Sequence, residues 1–430
     1  MTRQEINVAL LGLGVVGSGV ARALLEKADL YSSRLGLPLR LRHILVQDCR
    51  KPRPLELGAS LLTSDAEALL RDESVDLVVE VMGGERPAYD YIKEAMDRGR
   101  YVVTANKLVM ALHGPELLAL AQKRDVDILY EASVGGGIPI ISPLKRDLSA
   151  NRITSITAII NGTTNYILTR MSRDGIDFAD ALSQAQALGY AEADPSTDIE
   201  GQDAVYKLAI LASLAFHARV HPQDIHREGI ARLSARDFRY ARELGYAIKL
   251  QAIARMADGG LQLRVHPVLM PEDEQLAKVD GVLNAVQVEG DLLGPVLFQG
   301  AGAGSLPTTS AVVADVLDAA QALTQGARSP PGSYTSDVKV LPMADLSTRY
   351  YIRTEVADSP GVLGQMARCF GDNNVSIASV IQKEANQAAQ TAEIVIMTHP
   401  AREADIQTAV RQLEALDTVA EIGNLLRVEG

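Results

Sequence analysis

The sequence has 430 residues, of which 47% are hydrophobic, so it can form two or three domains with cores of their own, and a disordered or fibrous protein is excluded. Its 42 Lys and Arg residues against 54 Asp and Glu give a net charge of -12, which disfavours nucleic acids and anionic membranes as partners. The two distant cysteines, Cys49 and Cys369, and the lack of a secretion-signal pattern or a long apolar stretch predict a cytoplasmic protein that binds small molecules.

The first third of the chain alternates strand-like and helix-like segments. Residues 6–11 form an apolar strand that ends at the glycine motif of residues 12–17, and apolar residues continue at helical spacing through Leu25. Such alternation predicts an α/β domain with a Rossmann-like, doubly wound parallel sheet, which we place at residues 1–135, completed by 305–325. The further strands predicted in it are 39–46, 75–81, 101–104 and 128–130, and the further helices are 64–71, 87–98 and 114–124.

The glycine motif predicts a dinucleotide-binding turn. Gly12 allows the tight turn, Gly14 lets the backbone approach a pyrophosphate, and Gly17 lets the helix pack closely on the strand. The amino end of the following helix then faces the anion, whereas the alternative is a glycine turn with a purely structural role. The residues assigned to the cofactor in this turn are Gly12, Leu13, Gly14, Val15, Val16 and Gly17.

The end of the second strand leaves the choice of cofactor open. Asp48 offers a carboxylate for a ribose hydroxyl, as in NAD-binding proteins, while Arg50 and Lys51 offer cations for the 2'-phosphate of NADP. An ordinary solvated loop would carry the same two cations. We therefore expect NADP or NAD, with NADP slightly favoured.

From about Gly135 the pattern changes to mixed helices and strands. Strand-like residues 153–160 and 261–270 and a hairpin-like pair near 283–300 predict a second, α+β domain over residues 136–304. A helix at 309–323 is expected to return to the first domain. The helices predicted within the second domain are 138–148, 164–172, 177–188 and 199–216.

Residues 326–346 are rich in Gly, Ser and Pro and are predicted to be a linker. The order of elements in residues 347–430 is βαββαβ, which is typical of a ferredoxin-like module. The predicted elements of this module are strand 349–356, helix 361–372, strands 375–383 and 391–398, helix 402–415 and strand 418–428.

A lysine is the predicted proton-transfer group. Hydride transfer from an alcohol carbon needs a group that takes the hydroxyl proton, and the histidines of this chain have no metal-ligand spacing. The helix that begins near Asp198 places Asp203 and Lys207 one turn apart, above an apolar stripe. The alternative to a partly buried catalytic lysine is an ordinary surface ion pair.

Two other stretches offer polar groups for a site. Residues 188–195 supply a glycine turn and the carboxylate of Glu192, which suits the ammonium of an amino acid. Lys107 follows strand 101–104 at the carboxyl end of the predicted sheet, where α/β proteins bind ligands. A solvent-exposed lysine without a function is the alternative there.

Essentially the whole chain resembles homoserine dehydrogenases that carry a C-terminal ACT domain. The resemblance implies NAD(P)-dependent interconversion of L-homoserine and L-aspartate 4-semialdehyde, in the biosynthesis of threonine, methionine and isoleucine. It also implies that the second domain binds the substrate and forms a homodimer or homotetramer. The segments that carry the resemblance are GLGVVGSGVAR (12–22), VEVMGG (79–84), VVTANK (102–107), YEASVGGGIPII (130–141), NGTTNYIL (161–168), LGYAEADPSTDIEGQDAVYKL (188–208) and GAGAGSLPT (300–308).

The resemblance also assigns roles to single residues. Lys207 is implied to transfer the proton with the help of Lys107, and a monovalent cation, commonly sodium, is implied near the domain junction. Gln47 stands where related sequences often carry Arg, which weakens the preference for NADP and makes dual cofactor use the expectation. The implied substrate ligands are Glu192, Asp198 and Asp203, the further cofactor residues are Thr104, Lys107, Gly189 and Gly302, and the cation ligands are the backbone carbonyls of Glu131, Val134, Gly136 and Ile138.

The terminal module resembles an ACT domain at the turn between its first strand and first helix. An amino-acid effector, L-threonine as the end product of the pathway, is therefore expected there, because the amino end of the helix can meet a carboxylate. A dimerisation module without a ligand is the alternative. The effector residues implied are Asp358, Gly361, Val362 and Leu363.

Two rival functions were weighed against this resemblance. An aspartate-semialdehyde dehydrogenase needs a thiol nucleophile, and neither Cys49 nor Cys369 is placed as one. A non-catalytic amino-acid sensor on the same fold is disfavoured because the candidate site side chains are intact. Those side chains are Lys107, Glu192, Asp203 and Lys207.

Overall fold

A computed structural model describes residues 4–53, 55, 57–326, 338–386 and 388–429. Within these ranges, none of the helices combines the length and the apolar character that a bilayer crossing requires. The domain boundaries expected at residues 135, 304 and 346 stay predictions. The chain divides into two compact units, the first formed by Met1–Ile156, Tyr206–Gln223 and Asn284–Val338, the second by Thr157–Val205, Asp224–Leu283 and Lys339–Gly430.

The first unit begins with a six-stranded parallel sheet, which confirms the predicted Rossmann-like fold. The strand order is β3-β2-β1-β4-β5-β6, so the chain starts in the middle of the sheet and winds to both edges. The central strands β1, β4 and β5 are buried along their full length, as expected where helices cover both faces. The strands are β1 (Ile6–Leu11), β2 (Leu39–Leu45), β3 (Leu62–Thr63), β4 (Leu77–Glu80), β5 (Tyr101–Thr104) and β6 (Ile128–Leu129), and the helices are α1 (Val15–Glu26), α2 (Ala28–Leu35), α3 (Ala66–Arg71), α4 (Ala88–Asp97) and α5 (Lys107–Arg124).

Helix α5 begins at Lys107 rather than at the predicted residue 114. Asn106 caps it, because the Oδ1 atom of Asn106 accepts the N–H of Val109 at 3.1 Å. Pro115 lies inside the helix. As a result, Lys107 is the first residue of a helix at the carboxyl end of the sheet.

The middle of the chain continues with one short strand and five helices. The predicted helix 199–216 is divided at Gly201, which has φ +82° and whose Cβ, if it had one, would lie 3.2 Å from Cγ1 of Val265. The helix predicted at 138–148 is also shorter than expected. The elements are α6 (Ile141–Lys145), β7 (Ile153–Ile159), α7 (Gly162–Asp174), α8 (Phe178–Ala187), α9 (Ser196–Ile199) and α10 (Gln202–Ala215).

The next stretch contains a long antiparallel hairpin of β9 (Tyr246–Ala257) and β10 (Gly260–Pro271), preceded by β8 (His226–Arg227) and α11 (Ala235–Glu243). Neither β9 nor α11 is among the predicted elements. The predicted hairpin near 283–300 is present, and the helix predicted at 309–323 packs on α1 of the first unit. These elements are β11 (Leu283–Gly290), β12 (Gly294–Ala301) and α12 (Ser305–Gln325).

The C-terminal module has the predicted βαββαβ order and its own apolar core, which includes Ile352, Phe370 and Leu413. Its last strand pairs in parallel with β10, through Val268 and Leu269, so the module and the β9–β10 hairpin share one sheet in the second unit. Most of the predicted linker, residues 327–337, lies outside the described residues. The elements are β13 (Ser347–Ala357), α13 (Val362–Asp372), β14 (Ile377–Asn386), β15 (Thr391–Thr398), β16 (Ala401–Arg402), α14 (Glu403–Glu414) and β17 (Val419–Val428).

A buried ionic cluster joins this module to α11. The Nε atom of Arg353 on β13 donates to Oδ1 of the fully buried Asp237 at 2.7 Å, and its NH1 donates to Oε2 of Glu393 at 3.1 Å. Asn424 donates to the other oxygen of Asp237 at 2.6 Å. Burial alone would lower the pKa of Arg353, but the hydrogen bond and the charge of Asp237 raise it. The side chain of Arg353 packs over Gly423, where a Cβ would lie 2.6 Å from Cζ.

A second buried cluster surrounds the β10–β17 junction. Arg427 on β17 donates to both oxygens of Glu403, through Nε at 2.8 Å and NH2 at 2.5 Å, and through NH1 to Oε2 of Glu228 at 2.8 Å. Arg264 on β10 pairs with Glu429. Because Arg427 and Arg264 are almost completely buried, removing one member of a pair would leave an uncompensated buried charge. The pairs therefore hold the module to the rest of the second unit only when each of them is complete.

Candidate active site

The glycine turn lies between β1 and α1. Gly12 has φ +102°, and a Cβ on Gly17 would lie 2.2 Å from the carbonyl oxygen of Gly12, so only glycine lets α1 pack this closely on the turn. No atom lies within 4 Å of the place where a Cβ of Gly14 would be, and Val15 beside it is 74% exposed. The amino end of α1 is therefore open to an anion.

The start of the loop after β2 is exposed, and the Asp48 carboxylate in it is already engaged. Oδ1 of Asp48 accepts the N–H of Arg50 at 2.8 Å. Arg53 donates to the carbonyl oxygens of Asp48 at 2.6 Å and of Lys51 at 2.8 Å, which fixes the loop. The side chains of Arg50 and Lys51 are exposed.

A buried carboxylate organises the carboxyl end of the sheet. Glu80, the last residue of β4, is fully buried, and its two oxygens accept the N–H of Met82 at 2.8 Å and the hydroxyl of Thr104 at 2.6 Å. Asn106 donates its side-chain amide to Oε1 of Glu80 at 3.5 Å and its N–H to the Thr104 hydroxyl at 3.0 Å. Burial raises the pKa of Glu80, although these hydrogen bonds oppose the rise. Glu80 thereby fixes the turn that precedes α5 and its first residue, the half-buried Lys107.

Sequence reasoning did not single out Glu80. Its signal was an acidic residue within the otherwise apolar segment VEVMGG, where a solvent-facing position would be the ordinary expectation for a carboxylate. Thr104, predicted to line the cofactor cleft, is buried and uses its hydroxyl hydrogen on Glu80. Thr104 therefore supports this turn structurally, and its role in lining the cofactor cleft stays a prediction.

Two of the predicted substrate ligands lie together in the second unit. The Nδ2 atom of Asn161 donates to Oδ1 of Asp198 at 2.7 Å and to Oδ2 of Asp203 at 2.9 Å. Asp203 is 2% exposed and Asp198 is half-buried. The side chain of Glu192, the third predicted ligand, is exposed in the loop between α8 and α9. The structure thus brings Asp198 and Asp203 to one amide, and Glu192 stands apart from it.

Helix α10 carries both Asp203 and Lys207, four positions apart in its first two turns. Lys207 is half-buried. Below them the helix carries buried Ile210, Leu211 and Leu214, so the apolar stripe expected from the sequence is present. The charged positions stand at the amino end of a helix that is otherwise anchored in the core.

The loop of residues 131–138, predicted to hold a cation, is fixed by two buried carboxylates. Glu131 accepts three backbone N–H groups, from Ile140 at 2.6 Å, Ile141 at 2.8 Å and Ser142 at 2.7 Å. Asp315 on α12 accepts the N–H of Glu131 at 2.8 Å, and burial raises the pKa of Asp315 well above its ordinary value. The described residues contain no group of three or more His, Cys, Asp or Glu that could bind a metal ion.

Close glycine contacts complete this part of the first unit. A Cβ on Gly136 would lie 2.5 Å from the carbonyl oxygen of Gly302, and a Cβ on Gly302 would lie 1.9 Å from Nδ2 of Asn284. Val134 and Ile138 are buried beside them. Gly302 is therefore required for packing, whereas Gly189 forms a turn with φ +75°, and none of the described residues beyond its chain neighbours comes within 4 Å of a would-be Cβ there.

The predicted effector turn connects β13 to α13. Gly361 is the N-cap of α13 with φ +93°, a conformation that L side chains rarely adopt. Asp358 is exposed, Val362 is buried, and Leu363 is 42% exposed. An open helix start beside an exposed leucine can receive both the carboxylate and the side chain of a small amino acid. The free cysteines lie in different units, Cys49 on the exposed loop directly before Arg50 and Cys369 on α13.

Family models cover nearly all of the chain. The model of the homoserine dehydrogenase NAD-binding domain matches residues 12–131, the model of homoserine dehydrogenase matches residues 139–317, and the ACT domain model matches residues 350–418. Three independent segments of sequence thus agree with the glycine turn, the acidic cluster and the βαββαβ module described above.

Whole-chain relatives agree with the domain matches. A homoserine dehydrogenase of Neisseria gonorrhoeae is 44% identical over 433 residues, which cover 99% of both chains. The crystal structure of a homoserine dehydrogenase from Thiobacillus denitrificans superposes with a TM-score of 0.93 at 43% identity, covering 99% of this chain and 98% of its own. A hyperthermophilic archaeal homoserine dehydrogenase in complex with NADPH has a TM-score of 0.62 at 28% identity, covering 73% of this chain and 97% of its own.

The relatives from Neisseria gonorrhoeae and Thiobacillus denitrificans match this chain over its full length, from the domain with the glycine turn to the terminal module. Identity at this level over the full length shows common function as well as common fold. The rival assignments to an aspartate-semialdehyde dehydrogenase or a non-catalytic sensor are not needed. The chain belongs to the homoserine dehydrogenase family, NAD(P)-dependent oxidoreductases, and carries an ACT domain at its C-terminal end.

Proposed function

We propose that Lys207 transfers the proton in the interconversion of L-homoserine and L-aspartate 4-semialdehyde, and that Lys107 assists it. In the oxidation, the hydroxyl proton of homoserine passes to the neutral amine of Lys207 while C4 loses a hydride. In the reduction, the ammonium returns the proton to the oxygen of the forming alcohol. The observation that carries the proposal is the placement of half-buried Lys207 on a core-anchored helix, four residues after buried Asp203.

The carboxylates of Asp198 and Asp203 are proposed to bind the ammonium of the substrate, with Glu192 as a third contact. Support comes from their convergence on one amide, which concentrates negative charge at a single place in the second unit. Glu192 is exposed and would reach the substrate as its loop settles on it. A cationic substrate group favours such a cluster over an isolated carboxylate.

The glycine turn is proposed to bind the pyrophosphate of NADP or NAD through residues 12–17. The open space at Gly14 and the amino end of α1 fit a phosphate. When bound, the nicotinamide supplies or accepts the hydride. Because Asp48 is engaged with the backbone of Arg50, we propose that exposed Arg50 and Lys51 favour NADP while NAD is also used. An archaeal relative described as a complex with NADPH is consistent with this preference.

Three further properties belong to this proposal. A monovalent cation, sodium, is proposed at the carbonyl oxygens of Glu131, Val134, Gly136 and Ile138, supported by the rigid loop that the Glu131 carboxylate builds. A homodimer or homotetramer is proposed from the family resemblance. A cytoplasmic location is proposed because both cysteines are free.

L-threonine is proposed to bind at Asp358, Gly361, Val362 and Leu363 and to regulate the enzyme. The open amino end of α13 supports a carboxylate ligand there. Deleting residues 346–430 would be a poor test, because the deletion would also strip β17 from β10 and leave the Glu228 carboxylate without Arg427. Replacing Asp358 with Ala in the full chain is the sharper test. We expect threonine to alter homoserine oxidation by the parent enzyme, and the variant to need a higher threonine concentration for the same effect.

The test of the catalytic proposal is Lys207→Met, which keeps the length of the side chain but removes the amine. General acid–base catalysis contributes about 10²–10⁴-fold, so kcat for homoserine oxidation should fall by that factor. The Kd for NADPH, measured by fluorescence, should change little. Lys123→Met, at an exposed position on α5, is the matched control and should retain parental kcat. Near-parental turnover by Lys207→Met would reject the proposal.

A further inference from the structure

The amide of Asn161 contacts two carboxylates at once. Its single nitrogen donates one hydrogen to Asp198 at 2.7 Å and the other to Asp203 at 2.9 Å. Asn161 is 6% exposed, and its two acidic partners follow it by 37 and 42 residues in the sequence. Both hydrogens of the amide are therefore committed to carboxylates that come from two other helices, α9 and α10.

The orientation of this amide is fixed from its other side. Asn161 is the N-cap of α7, and its Oδ1 accepts the N–H of Thr164 at 2.8 Å and the Thr164 hydroxyl at 3.0 Å. A flipped amide would turn its nitrogen toward the helix N–H and its oxygen toward the two carboxylates, losing all four hydrogen bonds. The helix cap thus determines that the donor end faces the acids.

We propose that Asn161 is a positioning residue for the reaction, which holds the carboxylates of Asp198 and Asp203 at the spacing that binds the ammonium of homoserine. This inference rests on the proposed function, in which these two acids are substrate ligands. Two carboxylates on one atom repel each other, so they stay together only if a donor bridges them. A lysine or arginine would bridge them too, but it would neutralise the charge that the substrate needs. A neutral amide orients the acids without adding a positive charge of its own.

The same helix offers an amide with a purely structural role for comparison. Asn165, one turn later on α7, is 1% exposed and donates to the carbonyl oxygens of Val279 and Leu283, both at 3.0 Å. Asn161 and Asn165 thus share their residue type, helix and burial. Their nitrogen atoms donate to different acceptors, carboxylates in one case and backbone carbonyls in the other, and Asn161 alone caps the helix.

Asn161→Asp and Asn161→Ser separate positioning from folding. Aspartate and serine both remain good caps for α7, so the helix start is kept. Aspartate replaces the bridging donor with an oxygen that faces Asp198 and Asp203, the titratable groups in contact with position 161. Serine retains the cap but cannot reach two carboxylates. Asn165→Ser is the matched control.

We expect both Asn161 variants to raise KM for homoserine by about 10- to 100-fold at pH 8, the loss typical of removing charge-assisted hydrogen bonds. kcat should fall less than KM rises, and KM for NADP should stay within about twofold, because the glycine turn is untouched. In Asn161→Asp the three carboxyl groups titrate as a coupled set, so KM for homoserine should rise further between pH 6 and pH 9. Asn165→Ser should lower the melting temperature and leave KM for homoserine within about twofold at every pH.

Asp198→Asn and Asp203→Asn distinguish a failure of the ligand assignment from a failure of the positioning role of Asn161. If neither variant raises KM for homoserine, the proposed ligands are wrong and the proposed function needs revision. If they raise it while both Asn161 variants keep parental KM, the positioning role is overturned and the ligand assignment stands. Equal changes in KM for Asn161→Ser and Asn165→Ser, without pH dependence in Asn161→Asp, would also overturn it, because they would show a general effect of loosening α7.

Discussion

Replacing Arg353 with Met tests whether the buried cluster at Asp237 holds the ACT domain to the rest of the second unit. The side chain of Arg353 is 9% exposed and that of Asp237 is 0% exposed. Methionine keeps much of the apolar stem but removes the donors to Asp237 at 2.7 Å and to Glu393 at 3.1 Å, so two buried carboxylates lose their shared cation. Breaking a buried ion pair by removing one partner costs about 3–5 kcal/mol.

This free energy translates into a measurable change in melting temperature. The second unit has about 200 residues, and for a unit of that size each kcal/mol corresponds to about 2–4 °C. Differential scanning calorimetry of the full chain should therefore show one unfolding transition lowered by about 6–20 °C. The transition assigned to the first unit, which NADPH binding would raise, should not move.

Arg236→Met is a matched control for this prediction. Arg236 pairs with the same oxygen of Glu393, at 3.3 Å, but its side chain is 58% exposed. An exposed pair is worth about 0–1 kcal/mol, so the control should lower the melting temperature by no more than about 4 °C. Equal shifts for the two variants would refute the argument that burial makes the Arg353 pair essential.

Three further predictions concern the first unit. Gly17→Ala places a Cβ 2.2 Å from the carbonyl oxygen of Gly12 and should lower both the melting temperature and the affinity for NADPH. Gly14→Ala has open space around the new Cβ and should lower only the affinity. Calorimetry measures the first effect and fluorescence titration the second. Replacing Arg50 and Lys51 with Ala should raise KM for NADP about tenfold, because loss of a charge-assisted contact to the 2'-phosphate costs about 1.5 kcal/mol. KM for NAD should stay nearly unchanged. Equal effects on both cofactors would contradict the assignment. A hydrogen bond from His43 holds the pKa of Asp72 at about 2, below 3.8, so the stability it contributes is present above pH 3.8 and is lost as the pH falls through 2. His43→Asn should therefore destabilise the protein at pH 5 and converge with the parent near pH 2 in urea denaturation; a constant difference would contradict this sign.

The sequence predicts the fold best where its elements are apolar and regularly spaced. The buried strands of the first sheet and the βαββαβ module are found close to their expected bounds for that reason. Strand β9 escapes prediction because Lys249 lies in its middle, yet that lysine is 4% exposed and bonds to the carbonyl of Val279 at 2.7 Å and to Asp280 at 2.8 Å. A buried lysine looks like a surface residue until its distant partners are known.

The candidate site was predicted unevenly for the same reason. Residues that act through a local motif, such as the glycines of the first turn, can be found from spacing alone. Glu80 and Asn161 act through partners that are 24 to 42 residues away in the sequence, and only the fold brings them together. The break at Gly201 has the same origin, because Val265 on another strand occupies the space that a side chain would need.

The parallel pairing of β17 with β10 also constrains how the protein folds during its synthesis on the ribosome. About 150 residues separate the two strands. At a synthesis rate of about 5–20 residues per second, β17 emerges roughly 8–30 s after β10. Strand β8 already pairs with Arg264 and Val265, so the part of this edge that β17 will cover is the segment at Val268 and Leu269, and until then this segment can pair with other nascent chains. The polar side chains of Arg264 and His266 on β10 would disfavour such pairing until Arg427 and Glu429 have been synthesised.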